Sequence, residues 1–244
     1  MKIRCLSGNM LKILAAIFMT VDHVGFMFFP SVPALRIIGR LAMPIFAFMI
    51  SEGSRYTKNR LKYLGLIAAL AAVCQAVYFF AMDSLDMSIL VTFTLSIIMI
   101  YALDTVKKEL ARDKISPIGL TVSLLLFISS IAFSAVFCHV FYVDYGFVGT
   151  LLPLFASLTD MRRCPGLLPK WVDSVYLRIL TLGIGLIILA GGFSGIQIYA
   201  LLALPLLCLY SGERGKVKMK YFFYVFYPLH LVLLEGIYVL VYGI

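Results

Sequence analysis

Charge is what this chain has least of. Only 14% of its 244 residues are Asp, Glu, Lys or Arg, whereas a water-soluble domain carries roughly a quarter, which excludes a soluble surface. Acids are the scarcer sign, 12 against 21 Lys and Arg. The five cysteines (Cys5, Cys74, Cys138, Cys164, Cys208) form no C-x-x-C pair, which argues against a zinc site or a disulfide framework. No low-complexity tract or polar linker interrupts the chain, so one domain, 1–244, is expected. What is present instead is apolar: 62% hydrophobic residues and a mean hydropathy of +1.01.

Those residues fall into about nine stretches, near 10–29, 34–51, 62–82, 88–104, 116–138, 145–159, 175–193, 196–210 and 220–242. A helix needs about 20 residues to cross a ~30 Å hydrocarbon core. The expectation is therefore an all-α polytopic membrane protein, one compact bundle of about nine helices, with the lipid bilayer as its main partner. The net charge of +9 resembles a nucleic-acid signal, but its placement does not. Lys2, Arg4 and Lys12 precede the first stretch, and every second loop thereafter is basic, around Arg55, Lys107, Arg162 and Arg214. The positive-inside rule then predicts a cytoplasmic N-terminus, an external C-terminus and a multi-pass protein of the cell membrane, with no nucleic-acid partner. The first stretch has no A-x-A-like cleavage site and contains Asp22 and His23, so it is expected to stay as a span.

Ionisable groups at membrane depth are candidate functional sites. The turn Pro30-Ser31-Val32-Pro33 joins the first two spans, so Asp22 and His23 face the level of Arg40, and Arg36 lies one helical turn from Arg40. Asp22 and His23 are adjacent and point about 100° apart. Two guanidinium groups against one carboxylate leave positive charge over, which calls for water or an anionic ligand. The plainer alternative is a buried Asp–Arg staple. In the last span Tyr224, Tyr227, Pro228 and His230 follow one another. His230 is expected roughly 15 Å deep, close to the level of His23, and Pro228 is expected to kink the helix and free carbonyls beside it. His139, Asp144, Tyr145, Gln197, Thr92 and Thr94 are placed at the external side. Two cytoplasmic loops, Glu52-Gly53-Ser54-Arg55-Tyr56-Thr57-Lys58-Asn59-Arg60 and Tyr210-Ser211-Gly212-Glu213-Arg214-Gly215-Lys216 with Lys220 beyond, combine cations with glycine and loop donors. That chemistry suits phosphate, although topogenic charge accounts for the cations as well.

In order along the chain, Asp22-His23, Arg36…Arg40-Leu41-Ala42-Met43-Pro44, Glu52-Gly53, Thr57-Lys58-Asn59-Arg60…Tyr63, Phe93-Thr94-Leu95, Asp144-Tyr145-Gly146, Tyr210-Ser211-Gly212…Gly215 and Tyr227-Pro228-Leu229-His230 resemble the TraX family. This is a family of integral membrane proteins linked to conjugal transfer and N-terminal acetylation of pilin. One departure is a missing asparagine before Phe93-Thr94-Leu95. The family is similar in turn to multi-span acyltransferases that draw on cytosolic acyl-CoA.

The resemblance implies a membrane-bound, acetyl-CoA-dependent acyltransferase without a metal. It would acetylate an amine or hydroxyl of a peptide, amine or sugar acceptor. His23 would be the base, with Asp22, Arg40 and His230 beside it and Arg36, Asp144, Tyr145, Gln197 and Tyr227 around the acceptor. Arg55, Thr57, Lys58, Asn59, Arg60, Tyr210, Arg214, Lys216 and Lys220 would hold acetyl-CoA, whose arm would reach the histidines through a polar channel. A proton-coupled solute transporter with an Asp/His/Arg relay is the alternative. An odd span number without a visible repeat counts against it. A structural subunit of a pilus machine would leave the buried charges unexplained.

Overall fold

Serine and proline start the helices. Ser7 accepts from the Met10 N–H at the head of α1 (Gly8–Met27), and Pro33 opens α2 (Pro33–Gly39), its missing N–H being one that a first turn leaves unused. Ser116 and Pro117 do both for α6 (Pro117–Val140). Between them run α3 (Ala42–Tyr56), α4 (Arg60–Met82) and α5 (Ile89–Leu110). After α6 come α7 (Gly146–Phe155), a 3₁₀ turn Lys170–Asp173, α8 (Val175–Gly192), a 3₁₀ helix Gly195–Leu202, α9 (Ala203–Cys208) and α10 (Lys220–Tyr242). This computed structural model describes residues 4–82, 86–192, 195–216 and 219–243. Lys2, most of the 83–87 loop, Lys218, the side chain of Lys220 and Ile244 lie outside the described residues.

Among the described residues seven helices are long and apolar enough to cross a membrane, α2 and α3 counting as one that breaks at Arg40. The sixth and eighth apolar stretches are shorter than a span requires, and their surroundings explain how they still run the depth of the bundle. Near its start α7 receives the Thr92 hydroxyl on the Asp144 carbonyl, and past its end Lys107 Nζ donates to the Ser157 carbonyl. Thr92 and Lys107 lie about 22 Å apart along α5. The eighth stretch gains reach from its 3₁₀ winding. At ~2.0 Å per residue it covers about 16 Å where an α-helix would cover about 12, and α9 adds about 9 Å.

The core joins α1, α3, α5, α7, α8 and α9 around Leu11, Phe48, Ile97, Leu152, Leu182 and Leu207. Outer helices invert the soluble pattern. On α6 the buried residues are Ser123, Ser130 and Ser134, whereas Ile118, Ile128 and Val136 are exposed. Small residues facing helices and large apolar ones facing outward is what a lipid-facing helix needs. Among the described residues the only β pairings are two isolated bridges, one at each end. Leu6 pairs with Tyr210, and Met87 with Val143.

Candidate functional site

Polar side chains gather in two layers, one at each end of the bundle. At the end of the basic loops, Arg178 on α8 is fully buried and pairs with Glu52 on α3; its other nitrogens donate to Ser51 Oγ at 2.9 Å and the Ala156 carbonyl at 3.0 Å. Glu52 also accepts from the Tyr210 hydroxyl at 2.7 Å. Arg55 bridges Asp160 and Asp173, the latter at 2.9 Å through Nη2, and Arg60 pairs with Asp104. Burial opposes ionisation of Asp173, but the Arg55 guanidinium outweighs it and holds that carboxyl below its usual range. Burial, reinforced by the Glu52 carboxylate, pushes the Tyr210 phenol up.

Several loop residues singled out for phosphate binding are therefore already engaged. Arg55 and Arg60 neutralise acids. Thr57 donates to the Asn59 carbonyl at 3.0 Å, and Asn59 Oδ1 accepts from the Lys62 N–H at 2.9 Å, which caps α4. The glycines of the second loop serve a clasp. The N–H groups of Gly8 and Asn9 donate to the carbonyls of Glu213 and Arg214, and Gly212 and Gly215, both at positive φ, turn the chain back over the start of α1. This clasp hangs over a cavity of about 490 Å³ lined by Lys12, Thr57, Tyr56, Tyr210 and Arg214 among others. Lys58, Asn59, Arg60 and Lys216 do not line it.

The opposite layer surrounds a cavity of about 770 Å³. Asp22 accepts from Arg36 Nη1 at 2.7 Å and Arg40 Nη2 at 3.2 Å. Helices α1 and α2 approach so closely that a Cβ on Gly39 would sit 2.3 Å from that of Asp22, so only glycine fits there. Arg40 occupies the α2–α3 break and also donates to the Tyr145 hydroxyl and Gln197 Oε1, each at 3.3 Å. Tyr145 has a left-handed backbone, φ 61, followed by Gly146 at φ 56. For a bulky residue that is strained, and strain of this kind gathers at functional sites. His23 does not bond Asp22. Its Nδ1 lies 3.2 Å from His230 Nε2, and His230 Nδ1 lies 3.1 Å from the Phe226 carbonyl.

The tautomers follow from the partners. A carbonyl only accepts, so His230 Nδ1 carries the hydrogen and its Nε2 accepts from His23 Nδ1–H. His23 Nε2 is left with a lone pair, and His23 lines the cavity. The carbonyl that His230 uses is that of Phe226, not the Tyr224 carbonyl that Pro228 releases. Eight residues expected at this end thus come together: Asp22, His23, Arg36, Arg40, Asp144, Tyr145, Tyr227 and His230, with Gln197 behind Arg40. His139, exposed at the end of α6, stays out.

The expected surplus of positive charge is corrected by Asp144, already expected at this end, and by Asp86 and Glu235, which sequence spacing did not place there. Asp86, Asp144 and Glu235 line the same cavity, with Tyr78, Tyr142 and Tyr238. Against two arginines there are four carboxyl groups. Asp144 opens to the cavity but is ringed by protein, and desolvation pushes its carboxyl up to about 7 despite Arg40 nearby. Glu235 is the one acid of its span, a signal available in the sequence, whereas Arg178 and Asp86 stand near the ends of apolar stretches, where charge is ordinary.

A third cavity, about 120 Å³, lies between the two. It shares Met19, Phe46, Ile89 and Tyr227 with the larger one and Lys12, Met49, Tyr63 and Tyr224 with the basic-end one. Its walls are mostly Met, Ile, Leu and Phe with three tyrosines, so the connection is apolar where a polar channel was expected.

The chain matches the TraX protein family over residues 7–238. It is 26% identical over 252 aligned residues, covering 93% of this chain and 94% of the relative, to a probable fimbrial assembly protein, FimC, of Dichelobacter nodosus. It is 52% identical over 40 residues, 16% of each chain, to an uncharacterized protein of Rickettsia prowazekii (strain Madrid E). No solved structure matches it. All the groups that line the three cavities fall inside the matched region, and the chain belongs to the TraX family.

Proposed function

We propose that this protein is a membrane acetyltransferase. It takes acetyl-CoA at the basic end and delivers the acetyl group to an amine in the cavity at the other end. The carrying observation is the row of three adjoining cavities, which runs from Lys12 and Arg214, cations without an ion pair among the described residues, to the His23–His230 pair. The basic end is assigned to the cytoplasm, where acetyl-CoA is found, because every basic loop lies there. The C-terminus is then external, and the protein resides in the cell membrane.

In the transfer step the acceptor nitrogen attacks the thioester carbonyl carbon as its proton moves to His23 Nε2. Positive charge on His23 is shared with His230 through the Nδ1–H bond. The C–S bond then breaks, and the CoA sulfur takes the proton from His23. Histidine suits both halves of that exchange. Arg40 and Tyr227 line the cavity and are placed to donate to the developing oxyanion. The carboxyl groups of Asp86, Asp144 and Glu235 and the ring faces of Tyr78, Tyr142 and Tyr238 favour a cationic acceptor in its resting state, and a cavity carboxylate takes the ammonium proton and passes it to solvent before the neutral amine attacks. A relative described as a probable fimbrial assembly protein favours the amino terminus of a fimbrial or pilin subunit as that acceptor.

The same passage would suit a proton-coupled transporter, but its apolar waist offers an ionic solute no partners. The test is purified protein in nanodiscs with acetyl-CoA and a peptide bearing a free amino terminus. Release of free CoA thiol together with a peptide heavier by one acetyl group is expected. Uptake of a solute by proteoliposomes without any acetylated product would overturn the reading.

A further inference from the structure

Lys12 differs from the arginines that seal the basic end. Arg55, Arg60 and Arg178 are each ion-paired. Among the described residues Lys12 forms no ion pair; its Nζ lies 5.8 Å from the centre of the Phe223 ring. It lines both the basic-end cavity and the narrow waist, so it marks the mouth between them.

Its place on α1 adds a distance. Lys12 and His23 are 11 residues apart on one continuous helix, Gly8–Met27. At 100° and 1.5 Å per residue they lie within about 20° of the same face and about 16 Å apart along the axis. Between them on that face are Ala16, whose small side chain leaves room, and Met19, which lines both the waist and the larger cavity. A phosphopantetheine arm runs through about 14 bonds from its phosphorus to the thioester carbon. Three such bonds span about 3.5 Å in an extended peptide, so the arm reaches about 16 Å.

We propose that Lys12 binds the phosphate that carries the pantetheine arm. α1 then acts as a ruler that sets the thioester beside His23 when that phosphate is seated. This rests on the acetyl-CoA reading above. Arg214, farther out on the loop that roofs the cavity, would meet the adenosine end of the molecule.

Three donors separate these roles: acetyl-CoA, acetyl-4′-phosphopantetheine and acetyl-pantetheine, titrated by calorimetry against the full-length protein in nanodiscs. Lys12→Gln should weaken the first two equally, by about 10- to 100-fold, the effect of losing one charge-assisted hydrogen bond. It should leave acetyl-pantetheine unchanged. Lys12→Arg should retain most of the binding, and Arg214→Gln should weaken acetyl-CoA alone. A Lys12→Gln effect that is absent, extends to acetyl-pantetheine or appears only with acetyl-CoA would overturn the assignment of Lys12. Wild-type protein that binds none of the three would overturn both the assignment and the acetyl-CoA reading.

Discussion

At the basic end of this bundle Arg55, Arg60 and Arg178 each meet a carboxylate, and Arg178 and Glu52 do so with almost no contact with solvent. At the other end two arginines share Asp22, three further carboxyl groups look into the same space, and His23, bonded to His230, faces a cavity of about 770 Å³. The same residue types thus do two jobs. Closed pairs tie α3 to α8 and to the loop after α7, and they leave no group free to react. The open set faces a cavity, which leaves the His23 Nε2 lone pair accessible and, in the proposed reading, gives a cationic acceptor its place. Ion pairs in one chain are thus informative only when it is known whether they are sealed.

The comparison is broken most forcefully by unsealing a closed pair. Glu52→Ala leaves the buried Arg178 guanidinium without its partner and should cost about 3–5 kcal/mol. The expected result is a large loss of folded protein by fluorescence-detected chromatography, whereas Asp22→Asn, at the wetter end, should yield well-folded but inactive protein. Equal folded yields would erase the distinction between the layers.

His23→Ala should lower acetyl transfer by about 10²–10⁴-fold, the usual contribution of a positioned acid–base group, while acetyl-CoA affinity persists. Full activity at matched expression would remove His23 from the chemistry.

Gly39→Ala sharpens the contrast more gently. Its methyl group would collide with Asp22, and such overpacking costs about 1–3 kcal/mol. A lowered melting temperature with a larger loss of kcat than of donor affinity is expected. An unchanged kcat would mean that the Asp22 position is irrelevant to turnover.

The smallest effect is one of pH. With its carboxyl pushed up to about 7, Asp144 is neutral below that value and ionised above it. If the carboxylate helps to hold a cationic acceptor, acceptor affinity rises as pH increases through about 7. Asp144→Asn should flatten that rise without altering the binding of acetyl-CoA. A wild-type profile in the variant would assign the rise to another group.

Much of the outer site was legible along the chain. Equal distances from the Pro30–Pro33 turn put Asp22 and His23 at the level of Arg40, because two helices joined by a short turn climb at the same rate; that Arg36 also reaches Asp22 came from the structure. The depth of His230 likewise placed it near His23. The basic-end loops carry structural roles that no local pattern announces: Asn59 caps α4, Thr57 braces the turn before it, and Gly212 and Gly215 shape the clasp on α1, while Thr57 and Gly212 also line the basic-end cavity. The partners of Arg55 lie 105 and 118 residues away, and no local pattern encodes such a pairing. Lys12 looked like topogenic charge until the cavity beneath it was seen.

By itself the sequence determined that the chain is an all-helical membrane bundle and where its apolar stretches run. It also placed Asp22, His23 and His230 within apolar stretches. Transfer into hydrocarbon is a free energy assigned residue by residue, and helical rise converts position in the chain directly into depth. Only the tertiary structure decided which charges are sealed and which remain open, and that three cavities line up from Lys12 to His23. Those outcomes depend on which helices become neighbours, and a cavity exists only where several of them fail to touch.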